Sequence, residues 1–146
     1  MARNALSFGA LSSLVGYRLR RASGAFALDF HDAMKGTGMR QVLVGILAIV
    51  EANPRVNQGA VGVALGIKRA NMVSLINELV DAGLVEREVS ADDRRAFSLT
   101  LTGAGETMRK NCIARIQEHE DRMLAALDAE ERATLLRLLG RIEAKA

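Results

Sequence analysis

The chain has 146 residues, of which 49% are hydrophobic and 25% charged, and this length suits one compact domain with its own core. Four phenylalanines, one tyrosine, one proline and no tryptophan favour a mainly α (α+β) protein and argue against an all-β sandwich. The formal net charge is +3, and residues 1–40 carry six basic and two acidic side chains. This excess permits nucleic-acid binding but does not require it.

The sequence lacks the patterns of a membrane span and of a secretion signal. Its longest apolar run, residues 42–50, is about half of the ~18 residues needed to cross a bilayer. Residues 5–16 are interrupted by serines and are followed by Tyr17 and Arg18, where a cleavage site would have small residues. The single cysteine, Cys112, has no partner for an internal disulfide. We therefore expect a cytoplasmic protein with no membrane partner.

Two helices are predicted in the first third of the chain. Apolar residues recur at spacings of three and four over residues 6–34, which predicts a long first helix. The segment 36–38 (GTG) interrupts this pattern, and Thr37 is predicted to cap the next helix. Residues 42–50 are apolar on nearly all sides, as is typical of a buried helix, and the Asn-Pro pair at 53–54 ends it.

A helix-turn-helix pattern follows at residues 57–65 and 68–82. Asn57 is the predicted N-cap of the first helix, Gly66 allows a tight turn, and Gly83 is expected just past the end of the second helix. The second helix places apolar and short polar side chains on different faces. The apolar face comprises Val73, Ile76 and Val80, with Met72 and Leu79 beside them. The polar face comprises Ala70, Asn71, Ser74, Asn77 and Glu78.

The periodicity then changes to the alternation that is typical of strands. Residues 84–88 and 97–101 alternate apolar and polar side chains, and the charged SADDRRA loop between them predicts a two-stranded β-wing. Thr102 is predicted to cap a long helix that reaches about residue 127. Asp128 and Glu131 have the spacing of a capping box and predict a final helix to about residue 144.

A helix-turn-helix followed by a hairpin indicates a winged helix, whose second helix enters the major groove of DNA while the wing reaches the minor groove. Lys68 and Arg69 stand at the start of that helix, where backbone N–H groups and the helix dipole also favour a phosphate. Asn71 and Asn77 carry amides that can contact base edges, and Ser74 is small enough to allow close approach.

The tip of the wing carries two arginines. Arg94 and Arg95 are candidates for insertion into a narrow minor groove, where the negative potential is enhanced. Asp92 and Asp93 precede them, and we predict that a carboxylate here orients an arginine or pairs with Arg87 at the base of the hairpin. The alternative is a solvated turn that neutralises its own charges.

The segments LGIKRANMVSLINELVDAGLVERE (65–88) and SADDRRAFSLTLTGAGE (90–106) resemble the core of the multiple-antibiotic-resistance regulator (MarR) family of winged-helix transcriptional regulators. The resemblance rests on the DDRR wing, the GLVxR step at 83–87 and the LTxxG motif at 101–105. It covers residues 38–110 by motif and the flanking helices by arrangement only.

This resemblance implies a homodimeric repressor that binds double-stranded DNA at a pseudo-palindromic operator and is released by a small-molecule effector. The implied single domain, 1–146, has dimerisation helices at 1–36 and 102–146 and a DNA-binding lobe at 38–101. The apolar residues of the first and last helices exceed what a winged core could cover, which independently favours a dimer. The two recognition helices of such a dimer would lie about 34–36 Å apart.

The resemblance also implies roles for single residues. Arg95 is implied to be the minor-groove arginine, with Asp93 and Arg87 shaping the wing. The positions implied to contact the major groove and the phosphates are Lys68, Arg69, Ala70, Asn71 and Ser74. Ser74 stands where many members have arginine, so the base preference cannot be transferred from the family.

A candidate effector site lies in the first helix, because the family's usual pocket is formed between the first helices and the start of the long helix. Aromatic rings, a hydroxyl and positive charge there would suit an aromatic or otherwise amphipathic carboxylate. They would equally suit a dimer interface or a core. The residues concerned are Tyr17, Arg20, Arg21, Phe26, Phe30 and His31.

Motifs for catalysis or nucleotide binding (GxSxG, GxxxxGK[ST], GxGxxG) are absent from the sequence, and His31 and His119 lack a second ligand at metal spacing. His119 is interpreted as part of a solvated helical face. Cys112 is interpreted as a packed thiol, with a redox switch as the alternative. We therefore expect no enzyme activity, metal or cofactor.

Two other classes of function stay open at this point. The near-neutral charge of residues 66–95, five basic against six acidic side chains, favours a winged-helix module that binds protein rather than DNA. An enzyme that uses Cys112 as its nucleophile is the other, although no histidine lies near this residue in the sequence.

Overall fold

The computed structural model describes residues 6–93 and 95–145. Over these ranges the chain forms a mainly helical fold with a small antiparallel sheet, which confirms the predicted fold class. The elements in order are a 3-10 helix (Gly9–Ser13), α1 (Val15–Ala33), α2 (Gln41–Ala52), β1 (Val56–Asn57), α3 (Gln58–Leu65), α4 (Arg69–Asp81), β2 (Val85–Val89), β3 (Phe97–Leu101), α5 (Gly103–Met123) and α6 (Ala129–Glu143).

Helix α2 lies at the centre of the hydrophobic core, as its apolar composition predicted. Leu43, Ile46 and Leu47 are buried, and α2 packs against α3, β3 and α5. Leu99 of β3 and Cys112 of α5 belong to the same cluster. Burial of each large apolar side chain contributes about 1.5–3 kcal/mol. Helix α2 therefore joins the helix-turn-helix to the long helix α5.

The helix-turn-helix is built from local signals that are visible in the sequence. The Asn57 side chain accepts a hydrogen bond from the Ala60 N–H at 3.1 Å and caps α3 as predicted. Gly66 ends α3 with a φ of 66°, a left-handed conformation that favours glycine. A Cβ on Gly62 would lie 2.7 Å from Met72 Cγ. This glycine therefore allows α3 to approach α4 closely.

The buried face of α4 consists of Met72, Ile76 and Leu79. The prediction that Val73 belongs to this face was wrong, since 44% of that residue is exposed. A helix turns about 100° per residue, so the position next to a buried methionine faces sideways. The core face of α4 is thus displaced by one residue from the predicted one.

Strands β2 and β3 pair antiparallel along their full lengths and form the predicted wing. Strand β1 was not predicted, and its Val56 pairs with Leu99 at the other edge of β3. A two-residue strand shows no alternation of apolar and polar side chains, and this one leads directly into α3. Its pairing therefore depends on the tertiary structure.

The LTxxG motif forms the joint between the wing and α5. Thr102 Oγ1 accepts a hydrogen bond from the Gly105 N–H at 2.9 Å, which caps α5 as predicted, and donates to the Gly83 carbonyl at 2.6 Å. A Cβ on Gly105 would overlap the carbonyl oxygen of Leu84. Only glycine therefore fits at the point where α5 crosses the residues that precede β2.

The predicted first helix, residues 6–34, is divided in two. Leu14 has an extended ψ of 110° and separates the 3-10 helix from α1. The prediction that Thr37 caps α2 was wrong, because its hydroxyl donates to the Met34 carbonyl at 2.6 Å and accepts from the Met39 N–H at 3.0 Å. Thr37 therefore closes the turn after α1, and α2 begins without a side-chain cap.

The two C-terminal helices meet at a turn stabilised by both. Helix α5 ends before residue 127, because Leu124 leaves the helical conformation and its carbonyl accepts from Arg132 Nη2 at 3.1 Å. Asp128 and Glu131 form the predicted capping box at the start of α6.

Helices α1 and α6 leave large apolar side chains uncovered. Every residue of both helices is at least partly exposed. Val15 is 69% exposed, Leu28 76% and Leu136 73%. An exposed apolar surface of this extent is typical of an interaction face.

Within the described ranges no single helix is long and apolar enough to cross a bilayer. Helices α3 and α4 meet the length and composition needed only when taken together, and they are bent by 114° relative to each other.

Candidate nucleic-acid interface and adjoining cavity

The predicted DNA-contacting residues of the helix-turn-helix share the exposed side of α4. These residues begin at Lys68, the N-cap of the helix, and continue along the face opposite the buried Met72 and Ile76. Backbone N–H groups at this helix start are available to a phosphate. The exposed residues concerned are Lys68, Arg69, Ala70, Asn71, Ser74 and Asn77.

Sequence reasoning did not identify Arg40 as part of this surface. Its guanidinium binds the carboxylate of Glu78 on α4 through two hydrogen bonds of 2.7 and 2.9 Å. The hydrogen bonds from Arg40 hold the pKa of the Glu78 carboxyl below its usual range. Arg40 also lines a groove beside α4 together with Lys68 and Ser74. The two residues of the bridge are 38 positions apart, so no local pattern could have revealed the contact.

The wing is attached to α4 by Arg87. Its Nη1 donates to Asn77 Oδ1 at 2.8 Å, and its guanidinium carbon lies 4.9 Å from the centre of the Phe97 ring. The predicted pairing of Arg87 with Asp92 or Asp93 was therefore wrong. The side chain runs along β2 towards α4 rather than towards the tip of the hairpin.

At the tip of the wing a carboxylate holds the backbone. Asp93 Oδ1 accepts a hydrogen bond from the Arg95 N–H at 2.9 Å. The carboxylate thereby fixes the turn and leaves the Arg95 side chain exposed. Arg94, the other predicted minor-groove residue, lies outside the residues that the structure describes.

A cavity of about 390 Å³ lies between α1, α2 and α5. Two of the six candidate effector residues, Phe26 and Phe30, line it. The full set of described lining residues is Ser23, Phe26, Ala27, Phe30, Gln41, Val44, Gly45, Ala48, Ile113, Ile116, His119 and Glu120. This volume and its largely apolar wall are typical of a small-molecule site.

The other four candidates lie away from this cavity. Arg21 Nη1 is 3.3 Å from Tyr17 Oη, and its guanidinium carbon is 4.8 Å from the centre of the Phe8 ring. These residues form a cluster towards the N-terminal end of α1. Arg20 and His31 are exposed on the same helix. Their predicted contact with an effector stays a prediction.

His119 is part of the cavity wall, and the prediction of a solvated position was wrong. The residue is only 2% exposed, and its Nδ1 lies 2.5 Å from Asp29 Oδ2. Arg122 Nη2 lies 3.1 Å from the same oxygen. The His119 hydrogen bond, followed by the Arg122 contact, holds the pKa of Asp29 below its usual value despite partial burial. Sequence reasoning missed this group because Asp29 and His119 are 90 residues apart.

Cys112 lies in the core, where burial raises the pKa of its thiol. This environment is that of the packed thiol expected from the sequence. Across residues 6–93 and 95–145 there is no cluster of three or more His, Cys, Asp or Glu side chains that could hold a metal ion.

Comparisons with known proteins agree with this architecture. The MarR family model matches residues 42–96. A protein of Thauera aromatica named "Putative transcriptional regulatory protein for hcr operon" is 30% identical over 138 residues, which cover 94% of this chain and 83% of that protein.

Solved structures extend the similarity to nearly the whole chain. The transcriptional repressor CouR bound to a 23-mer DNA duplex is 33% identical, with a TM-score of 0.90 over 95% of this chain and 99% of that one. CouR bound to p-coumaroyl-CoA is 31% identical, with a TM-score of 0.81 over 95% and 98%. PcaV of Streptomyces coelicolor with its natural ligand, 24% identical, shares the fold, with a TM-score of 0.83 over 97% and 98%. The chain with the α4 surface, the wing and the cavity described above belongs to the MarR family of winged-helix transcriptional regulators.

Proposed function

We propose that this protein is a homodimeric repressor that binds a pseudo-palindromic operator and leaves it when a small aromatic effector occupies the cavity between α1, α2 and α5. The observation that carries the proposal is the exposed polar face of α4 beside a wing that Arg87 and Asn77 hold against it. The similarity to CouR, which has been solved with a DNA duplex and with p-coumaroyl-CoA, supports both halves of the proposal.

In this proposal α4 enters the major groove. Lys68 and Arg69 bind phosphates at the start of the helix, where the helix dipole adds to their charge. Asn71 and Asn77 contact base edges, while Ala70 and Ser74 allow the helix to approach. Asn77 keeps its amide N–H groups for a base, since its oxygen is held by Arg87.

The wing contributes the minor-groove contacts in this proposal. The Arg95 side chain is exposed, and Asp93 orders the backbone beneath it. A guanidinium in a narrow minor groove gains from the enhanced negative potential there. The corresponding role of Arg94 rests on the family resemblance alone.

A second copy of the chain is the proposed partner of the exposed apolar side chains on α1 and α6. Residues 1–36 and 102–146 would then form the dimerisation region, and residues 38–101 the DNA-binding lobe. Leu136 and Ile142 on α6 are 73% and 53% exposed. Because two copies related by a twofold axis carry two recognition helices, they match a palindrome with half-sites about 34–36 Å apart.

The test of DNA binding is fluorescence anisotropy of the protein with labelled DNA from upstream of its own gene, in excess unrelated DNA and at several salt concentrations. We expect dissociation constants of about 10⁻⁸ to 10⁻¹¹ M, weakened by salt, at two protomers per site. Binding that unrelated DNA abolishes would contradict the proposal and favour a module that binds protein.

Variants separate the two predicted kinds of contact. Arg95→Ala should weaken binding to most sequences alike, whereas Asn71→Ala should relax the preference at particular base pairs. Lys110→Ala removes a positive charge from an exposed position of α5 and is the control for net charge. If both test variants bind as the control does, α4 and the wing are not the DNA-binding surface.

The dimer is tested by sedimentation velocity. Leu136→Asp places a charge in the proposed interface and should give monomers. Their operator affinity should be reduced, because a monomer has one recognition helix and contacts only one half-site. A wild-type protein that sediments as a monomer at micromolar concentration would overturn this part of the proposal.

A further inference from the structure

The described wall of the cavity between α1, α2 and α5 is apolar except for four polar side chains. Ser23, Gln41 and Glu120 line it but are exposed, so they stand at its mouth. Of the polar side chains in the described wall, His119 is the one that is buried. The rest of the described wall consists of aromatic, aliphatic and glycine residues, and no lysine or arginine belongs to it.

The orientation of the His119 ring is fixed by its neighbours. Nδ1 faces Asp29, which is not a lining residue, so the opposite edge of the ring, which carries Nε2, is left for the cavity. The rings of Phe26 and Phe30 meet the imidazole edge-on, with centroids 5.2 and 5.7 Å away. These contacts leave the imidazole little freedom to rotate.

Asp29 also fixes the position of the ring proton. The lowered pKa keeps Asp29 ionised at neutral pH, so its oxygen accepts and Nδ1 is the nitrogen that donates. In the singly protonated ring Nε2 is then an acceptor. Among the described residues Nε2 has no hydrogen-bond partner. Nε2 is not one of the fully buried side-chain atoms that lack a partner, so it keeps some accessible surface, and a ring nitrogen with no protein partner in a cavity wall is suited to a ligand.

We propose that His119 is the specificity-determining residue of this cavity and selects an uncharged aromatic ring whose hydroxyl group donates a hydrogen bond to Nε2. The inference rests on the proposed function, because it concerns the effector of that same site. The hydroxyl lies at the end of the ring beside the buried His119, and any larger substituent extends past the exposed Ser23, Gln41 and Glu120.

The chemistry of the wall excludes a free carboxylate from the buried part of the effector. A carboxylate inside would meet no lysine or arginine among the described lining residues, and its oxygens would face Glu120 at the mouth and the Nε2 acceptor of a singly protonated His119. An ionised group buried without a partner carries a large desolvation cost. An ester or thioester of a hydroxylated aromatic acid satisfies both conditions, whereas the free acid does not.

The hydroxyl group is tested by isothermal titration calorimetry with two thioesters that differ in that group alone, p-coumaroyl-CoA and cinnamoyl-CoA. Wild-type protein should bind the first about tenfold more tightly, the effect of one well-placed hydrogen bond that would otherwise leave a buried acceptor unsatisfied. Equal affinity would overturn the inference while leaving operator binding intact. A protein that binds its operator but neither thioester would overturn it as well.

Variants of cavity residues test whether His119 causes the preference for the hydroxylated thioester. His119→Phe keeps an aromatic ring but removes both nitrogens, so the preference for the hydroxylated thioester should fall to about twofold or less. Ile116→Val removes a methylene from the same wall and should weaken both thioesters alike. Asp29→Ala should reduce the preference and Asp29→Asn, which can still accept from Nδ1–H, should restore it. A preference that survives His119→Phe would assign it to another residue.

A measurement on the wild-type protein guards against variants that fail to fold. The ¹⁵N resonance of His119 Nε2 should shift on addition of p-coumaroyl-CoA and much less on addition of cinnamoyl-CoA.

The requirement for an uncharged effector is tested with methyl p-coumarate and p-coumarate. The ester should bind at least about tenfold more tightly. Equal binding of ester and acid would overturn the exclusion of the carboxylate.

Discussion

The guanidinium of Arg40 holds both carboxylate oxygens of Glu78, with nitrogen–oxygen distances of 2.7 and 2.9 Å. Arg40 immediately precedes α2, whose Gln41, Val44 and Ala48 line the cavity, and Glu78 lies on α4. The bridge therefore connects the helix that would contact an effector to the helix proposed to contact DNA.

Arg40→Lys should reduce operator affinity several-fold with little change in thermal stability. Lysine cannot make the bidentate contact that orients α4, whereas a half-exposed ion pair contributes little to stability. Anisotropy and thermal denaturation measure the two effects. Lys35→Ala, which breaks the exposed Lys35–Asp32 pair, is the control. Unchanged affinity in Arg40→Lys would show that the bridge does not position α4.

Gly105→Ala should lower the free energy of unfolding by about 2 kcal/mol or more, because the added methyl group overlaps the Leu84 carbonyl oxygen. Gly103→Ala, two residues earlier, meets nothing within 4 Å and should raise stability by about 0.5 kcal/mol through the unfolded chain. Urea denaturation of both variants decides the matter. Similar stabilities for the two would contradict the close packing of α5 on the residues before β2.

Arg87→Ala should loosen the wing. The variant loses the hydrogen bond to Asn77 and the contact with the Phe97 ring, so amide hydrogen exchange at the hairpin should accelerate and operator affinity should fall. Glu88→Ala changes the next, exposed residue of β2 and serves as the control. Unaltered exchange in Arg87→Ala would mean that β2 and β3 hold the wing without this contact.

Cys112 should resist alkylation in the folded protein. Burial raises the pKa of the thiol, so the reactive thiolate is scarce and inaccessible at pH 8. We expect labelling by a thiol reagent to be at least about a hundredfold slower than in urea, since the group reacts only after opening. Rapid labelling of the native protein would instead favour the redox-switch alternative.

The contribution of Asp29 to stability should depend on pH in the acid range. Its pKa in the folded protein lies below the ordinary value of 3.8, so folding favours the ionised form. The stabilisation is present above pH 3.8 and is lost as the pH falls through the lowered pKa. The stability difference between wild type and Asp29→Asn should therefore shrink below about pH 4. Denaturation at pH 7, 5, 4 and 3 tests this, with Asp81→Asn as an exposed control. A difference that is constant from pH 7 to 3 would contradict the ion pair.

The sequence by itself determined the order of the helices, although not the break at Leu14 or the end of α5, together with the caps at Asn57 and Thr102, the turn at Gly66 and the polar face of α4. These features depend on residues within about four positions of one another, where backbone geometry dictates which groups meet. The family motifs lie in the same short segments, which is why the fold class could be predicted.

Only the tertiary structure decided which distant side chains share a site. Asp29 and His119 are 90 residues apart, Arg40 and Glu78 are 38, and β1 pairs with a strand about forty residues later. Such contacts depend on how helices are rotated and packed against one another, and many sequences with the same local pattern leave that choice open. The burial of His119 in an otherwise charged stretch of α5 follows from this packing and from nothing local.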